Sequence, residues 1–139
     1  MSNILERNRS LSELEFFKNA LEIRVEFARY LMNEKKVPKR WKFYITTPGM
    51  KLLMKLVDEL TAANTIYPTN EAELEQRRYH QNNALIACEQ IIQLIQFMVE
   101  TLDGVSLNDF KLLGPKLIKE STLIKAWRKQ NKVLTQKYE

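Results

Sequence analysis

Apolar side chains recur along this chain at steps of three and four residues, the spacing of helices that each turn one face to a core. The first run is Leu14, Phe17, Leu21, Val25, Ala28 and Met32, widened by Ile23, Phe27 and Tyr30. Ser12 and Glu15 have the spacing of a capping box, and Pro38 disfavours helical backbone at Val37. A first helix is therefore predicted over residues 11–36. Pro38 opens a basic, aromatic stretch, Lys39-Arg40-Trp41-Lys42-Phe43-Tyr44, readable as a short helical turn. Thr47-Pro48 supplies an N-cap and a first helical position, where proline is tolerated. The second helix runs over 48–66 on a stripe of Leu53, Val57 and Leu60, flanked by Met50, Leu52 and Leu56, and Pro68 ends it.

The third pattern is the cleanest. Asn70 and Glu73 offer a capping box, and no Gly or Pro follows until Gly104, so a helix over 70–102 is predicted. At 1.5 Å per residue it is about 50 Å long. Gln81, Leu85, Cys88, Ile92, Ile95, Val99 and Leu102 alternate steps of four and three, with Ala84, Ala87, Ile91, Leu94 and Met98 as a second stripe beside them. So wide an apolar arc exceeds what one neighbour covers, which argues for burial inside a bundle and leaves room for a subunit contact. Ser106 and Asp109 cap a fourth helix over 106–132, with Leu107, Phe110, Leu113, Leu117, Ile118, Leu123, Ile124 and Trp127 as its apolar face. Gly114-Pro115 should kink it, and the tail from Val133 to Glu139 should fray. Short connections favour antiparallel neighbours, so the fold class is all-α: a single up-down antiparallel four-helix bundle. Pro38, Pro48, Pro68 and Gly104 interrupt the stripe too often for one long coiled coil.

Length and composition agree with one domain. The chain has 139 residues with only 3 Gly and 4 Pro, so its elements are few and long. Cys88 has no partner for an internal disulfide, which points to a reducing cytosol. No run of about 18 consecutive apolar residues predicts a membrane span, and the N-terminus lacks the layout of a signal peptide. A cytoplasmic protein is expected.

Charge changes the picture more. The net charge is +5, but it is segregated. Residues 35–55 carry seven Lys/Arg and no acid, and residues 57–110 carry nine acids against Arg77 and Arg78. Residues 111–138 carry eight Lys/Arg against Glu120. Faces of opposite sign steer a polyanion to one side and favour head-to-tail self-association.

Catalytic chemistry finds little footing. His80 is the sole histidine, and Arg77 stands three residues before it, so the Glu-x-x-His motif of bundle di-metal sites is absent. One His and one Cys do not make a common zinc set, and Cys88 on a core stripe reads as a buried small hydrophobe. The three glycines are isolated, so no phosphate-cradling loop exists. A non-enzyme without cofactor or metal is expected. The basic segments are the stronger signal. Lys35, Lys36, Lys39, Arg40 and Lys42 surround a turn and interleave with Trp41 and Tyr44. Cations neutralise phosphates and aromatic rings stack on unpaired bases. Equally, Trp41, Phe43 and Tyr44 could plug the end of the bundle. Lys125, Arg128, Lys129 and Lys132 follow helical spacing and share a face, though cations there also suit a helix C-terminus.

The order of features carries a resemblance. A helix is followed by Pro38-Lys39-Arg40-Trp41 opening a second helical segment, then a long apolar helix, then a kinked fourth ending in Trp127 among basic residues. Across residues 14–130 this resembles the four-helix-bundle family of accessory variability determinant proteins of diversity-generating retroelements. Proteins encoded in intervening sequences of bacterial ribosomal RNA genes belong to the same family. The resemblance implies a barrel-like homo-oligomer, a pentamer, with a basic surface that binds RNA and DNA and assists a reverse transcriptase. Carried over, that surface is Lys35, Lys36, Lys39, Arg40 and Lys42 with Lys125, Arg128, Lys129 and Lys132, beside which the residue pattern adds Trp41, while Trp127 anchors the fourth helix. Two departures stand out: Ala126 precedes Trp127 where family members often have glycine, and Pro48-Gly49 should break a second helix that is usually continuous. The competing reading is a protein–protein adaptor or regulator of a phage or mobile element that does not touch nucleic acid.

Overall fold

The structure, a computed structural model, describes residues 14–134. Four α-helices and three short helical turns make up its regular structure, and the described residues contain no strand. Helix α1 spans Glu15–Leu31, α2 Thr47–Thr65, α3 Glu71–Thr101 and α4 Leu113–Lys129. The expected all-α bundle is present.

Helix α1 ends five residues before the predicted Lys36. Asn33 is the reason: its side-chain oxygen accepts the Lys35 N–H at 3.0 Å, and its carbonyl accepts the Val37 N–H at 2.9 Å. An Asx-type turn offers the backbone partners that compete with the helix, so the chain turns before Pro38 is reached. The proposed cap at Ser12 lies outside the described residues. The buried face of α1 also differs from the expected stripe. Phe17, Ala20, Ile23, Phe27 and Leu31 face the core, whereas Val25 and Met32 are 46% and 64% exposed. Both sets have helical spacing; the one carrying the larger side chains is inside.

Pro48-Gly49 does not break the second helical segment. The path is helical from Lys39 to Thr65: one 3₁₀ turn at Lys39–Trp41, one π turn at Lys42–Thr46, then α2. Thr47, the last residue with an N–H before the proline, reaches back five residues to the Lys42 carbonyl. A regular α-helical continuation would press the Pro48 ring against the Tyr44 carbonyl, and the wider turn relieves that clash. Gly49 is buried between Leu31 and Leu94. A Cβ there would stand 2.6 Å from Leu31 Cδ1 and 3.1 Å from Leu94 Cδ2.

Asn70 caps α3 by accepting the Glu73 N–H at 2.9 Å. The Glu73 carboxylate reaches one residue further back than a standard box, taking the N–H and hydroxyl of Thr69 at 2.8 and 2.6 Å. The buried line of α3 is Leu74, Gln81, Ala84, Ala87, Cys88, Ile91, Ile95 and Met98, drawn from both predicted stripes, with Leu85, Ile92 and Val99 at its margins. An 18-residue window of α3 has mean hydropathy 1.2, enough by composition to cross a membrane. Here the helix packs on both α2 and α4.

The fourth helix is shorter than predicted. Ser106 and Asp109 form the expected box, with the Ser106 N–H 3.4 Å from Asp109 Oδ2, but it starts a 3₁₀ turn at Leu107–Phe110. The break falls at Lys111 and Leu112, and Gly114-Pro115 lies unkinked in the first turn of α4, where a missing N–H loses nothing. Helix α4 stops at Lys129, so Lys132 is outside it. The segment beyond is pinned to α3 and its approach: Asn131 and Gln81 exchange side-chain hydrogen bonds of 2.6 and 3.2 Å, and the Leu134 N–H donates to the Pro68 carbonyl at 2.8 Å.

The helices pack in a ring: α1 touches α2 and α4, and α3 touches α2 and α4. Phe16 stacks on Trp127 with ring centroids 4.1 Å apart, Lys116 Nζ pairs with Glu26 at 2.9 Å, and Tyr30 sits 4.8 Å from Phe110. Partners fall along α4 as they rise along α1, so these two run in opposite directions. Phe27, Ile45, Leu56, Leu60, Ile91, Met98, Leu117 and Ile124 are buried between the helices.

Candidate nucleic-acid interface

The first basic segment forms one end of the bundle, where α1 passes to α2 beside the end of α3. Lys36 and Arg40 line a cleft of about 130 Å³ with Thr101, Asp103 and Gly104. Not all of its cations are free. Lys36 Nζ donates to Asp109 Oδ2 and to the Gly104 carbonyl, both at 3.0 Å. Tyr30 donates to the same carboxylate oxygen at 2.7 Å. The Tyr30 and Lys36 hydrogen bonds hold the Asp109 carboxyl down to about 2. The Tyr30 hydroxyl is shifted up, chiefly by burial and then by its bond to Asp109. Lys36 is thus a strut tying the α1–α2 turn to the segment before α4. The sequence showed no acid within 35–55, but the fold brings one from elsewhere.

Lys39 Nζ lies 3.9 Å from Glu34 Oε1, both well exposed, a loose pair that contributes little. Lys35, Arg40 and Lys42 are exposed and form no ion pair among the described residues. Trp41 is half-buried, edge-on to Phe97 of α3 at 6.2 Å and to Tyr44 at 6.3 Å. It closes the end of the core. Phe43 and Tyr44 do the opposite: they are 79% and 70% exposed, two large rings in succession. Of the two rings read from the sequence as interleaved with the cations, Trp41 packs on α3 and Tyr44 is displayed, and Phe43 joins Tyr44 at the surface. The signal that separates them was present. Trp41, Ile45, Gly49 and Leu53 recur every four residues on the core side, which leaves Phe43, two before the fully buried Ile45, facing away.

The C-terminal part of the second basic segment, Lys125 to Lys132, lies at the other end. Arg128 Nη1 bonds Asn82 Oδ1 at 2.8 Å, near the start of α3, while the first segment meets Thr101 to Gly104. Some twenty residues of helix separate these levels, about 30 Å along the bundle. Within one chain the cluster at residues 35–42 and the cluster at residues 125–132 are not one surface. Lys116 pairs with Glu26 and Glu22 at 2.9 and 3.6 Å, and Lys119 with Glu15 at 3.1 Å, so both are tied to α1. Lys125, Lys129 and Lys132 are exposed and form no ion pair among the described residues. Lys125 overhangs a groove of about 310 Å³ between α3 and α4, floored by Leu85 and Ile86.

The acid in the second segment is not on the surface. Glu120 is fully buried, with Asn19 Nδ2 donating to its Oε1 at 3.0 Å and, among the described residues, no partner for Oε2. Burial pushes this carboxyl up to about 8, so it is protonated at neutral pH and the surface of α4 is more basic than its sequence. Cys88 is buried close by and its thiol is pushed up to about 12, first by burial and then by the Glu120 charge. His80 bridges α3 to α2 through Nδ1, 2.6 Å from Glu59 Oε2. Arg77 caps the end of α2 by donating to the carbonyls of Ala63 and Ile66. Among the described residues no three His, Cys, Asp or Glu side chains gather as a metal site.

The chain matches no family model, no curated protein and no solved structure.

Proposed function

We propose that this chain is a non-catalytic nucleic-acid-binding accessory protein, a cytoplasmic up-down bundle that assists a retroelement reverse transcriptase. The observation that carries the reading is the end of the bundle at residues 35–46. Lys35, Lys39, Arg40 and Lys42 surround two exposed rings there, and among the described residues the only acid paired to any of the four is the loosely held Glu34. Such an array releases counterions from a phosphate backbone and binds without need of a catalytic group. Lys125, Arg128, Lys129 and Lys132 form a second contact about 30 Å away. Assembly of several copies, as the resemblance to pentameric accessory proteins implies, brings the two kinds of basic end onto one particle. A protein–protein adaptor is the other reading; the uncompensated lysines weigh against it, because lysine is depleted at the cores of protein interfaces.

The test is a titration of single-stranded RNA and DNA at several salt concentrations. Four phosphate-neutralising cations give a slope of log affinity against log salt of about −3. Absence of binding at low salt, or a flat plot, would overturn the reading.

A further inference from the structure

The π turn at Lys42–Thr46 shapes more than a charged surface. It leaves Phe43 and Tyr44 bare, and beside it lies a pocket of about 330 Å³ walled by Leu31, Met32 and Val37. Lys39 and Lys42 stand at the rim of that pocket, and Glu34 and Thr46 supply polar groups to it. The volume is at the small end of the range for cavities that hold organic ligands. Met32 is 64% exposed, so the apolar wall is open to solvent.

Resting on the nucleic-acid reading above, we propose that this turn is a subsite for unpaired bases. The rings of Phe43 and Tyr44 stack on successive bases, the Met32 and Val37 wall receives a base edge or face, and Lys39 and Lys42 hold the flanking phosphates. Three observations converge. Two consecutive exposed rings are a stacking platform, whose affinity is sequence-tolerant because every base has a π face. An apolar pocket rimmed by cations matches a base joined to phosphates, a ligand that is flat and apolar on its faces and anionic at its edge. Single π turns within helices are frequent at functional sites, and this one turns Phe43 away from the side on which Ile45 is buried. A duplex keeps its base faces stacked inside and offers this turn only phosphates, so the ligand class is single-stranded nucleic acid.

The experiment compares by fluorescence anisotropy an oligothymidine and a strand of abasic sites, equal in length and backbone charge, with a duplex of half that length, which carries a similar number of phosphates, as the third probe. Wild type, Phe43→Ala and Tyr44→Ala are each titrated. Both side chains are exposed, so the variants should fold, and circular dichroism checks this. The oligothymidine should bind at least about fivefold more tightly than the abasic strand, the low end of one base stacked on one ring. Phe43→Ala should remove most of that difference while leaving affinity for the abasic strand, and the salt slope, unchanged. Equal affinity for the oligothymidine and the abasic strand would overturn the subsite but leave the nucleic-acid reading standing. Binding to none of the three would overturn both.

Discussion

Glu120→Gln should stabilise this protein, and by an amount that depends on pH. Glu120 is 0% exposed, its Oε1 accepts one hydrogen bond from Asn19, and its Oε2 accepts none from the described residues. Removal from water raises its carboxyl from 4.5 to about 8, outweighing the opposing Asn19 hydrogen bond and the Lys119 charge. Between those two values the folded protein holds a proton that the unfolded chain has released. Stability therefore falls as pH rises from 4.5 to 8, and is level with respect to this group on either side. At about 1.4 kcal/mol per unit, the loss is about 3 kcal/mol by pH 7 and about 5 kcal/mol by pH 9. Glutamine has the shape of the protonated acid, can keep the Asn19 contact and cannot ionise. Urea unfolding of both proteins at several pH values is the assay. The variant should match wild type within about 1 kcal/mol at pH 5 and exceed it by about 3 kcal/mol at pH 7 and more at pH 9. A variant less stable than wild type at pH 9, or an offset that does not change with pH, would refute the reasoning.

Three further outcomes follow from particular contacts. Asp109→Asn takes the charge from the site that holds Tyr30 and Lys36; the wild-type contribution is present above about pH 4 and fades as pH falls through about 2, so the variant should be less stable at neutral pH and flatter in acid by thermal unfolding. Gly49→Ala gains about 1 kcal/mol of helix propensity but drives a Cβ to 2.6 Å from Leu31 Cδ1, which is fully buried and has little room to yield. Overpacking of about 1–3 kcal/mol should leave a net loss of about 1 kcal/mol in urea unfolding. Sedimentation of the 16.5 kDa chain should give the mass of a multimer, and a monomer at every concentration would remove the assembly from the proposal.

Much of the fold was legible in residue spacing because helices repeat their geometry. The limits of α3 follow from Asn70 at its start and the apolar steps through Met98, and the central stripe of α2, Leu53, Val57 and Leu60, is buried as read. What spacing could not supply was competition. Asn33 diverts the backbone after Leu31, and a stop assigned to Pro38 comes early. The π turn absorbs Pro48, which by propensity alone reads as a break. On α1 two registers had helical spacing, and only packing against α2 and α4 selects Ile23 and Phe27 over Val25 and Met32. The candidate site was legible as charge and not as geometry. Lys36 and Lys116 are drawn into pairs with Asp109, Glu22 and Glu26, residues distant in sequence, and Glu120 leaves the surface altogether. Trp41 meets α3, whereas Tyr44, read with it as a stacking ring, is displayed beside Phe43 because two residues of helical turn separate the core side from the exposed side.

The central claim is that residues 35–46 are the surface that meets nucleic acid, and one comparison addresses it directly. Affinity for a single-stranded RNA is measured between about 50 and 200 mM salt for wild type and for the triple variant Lys39→Glu, Arg40→Glu, Lys42→Glu. None of these three side chains is buried, so the fold should persist. The account expects a wild-type slope near −3, and in the variant a slope shallower by about 2 with binding weakened on every sequence alike. A folded variant that keeps the wild-type affinity and slope would contradict it.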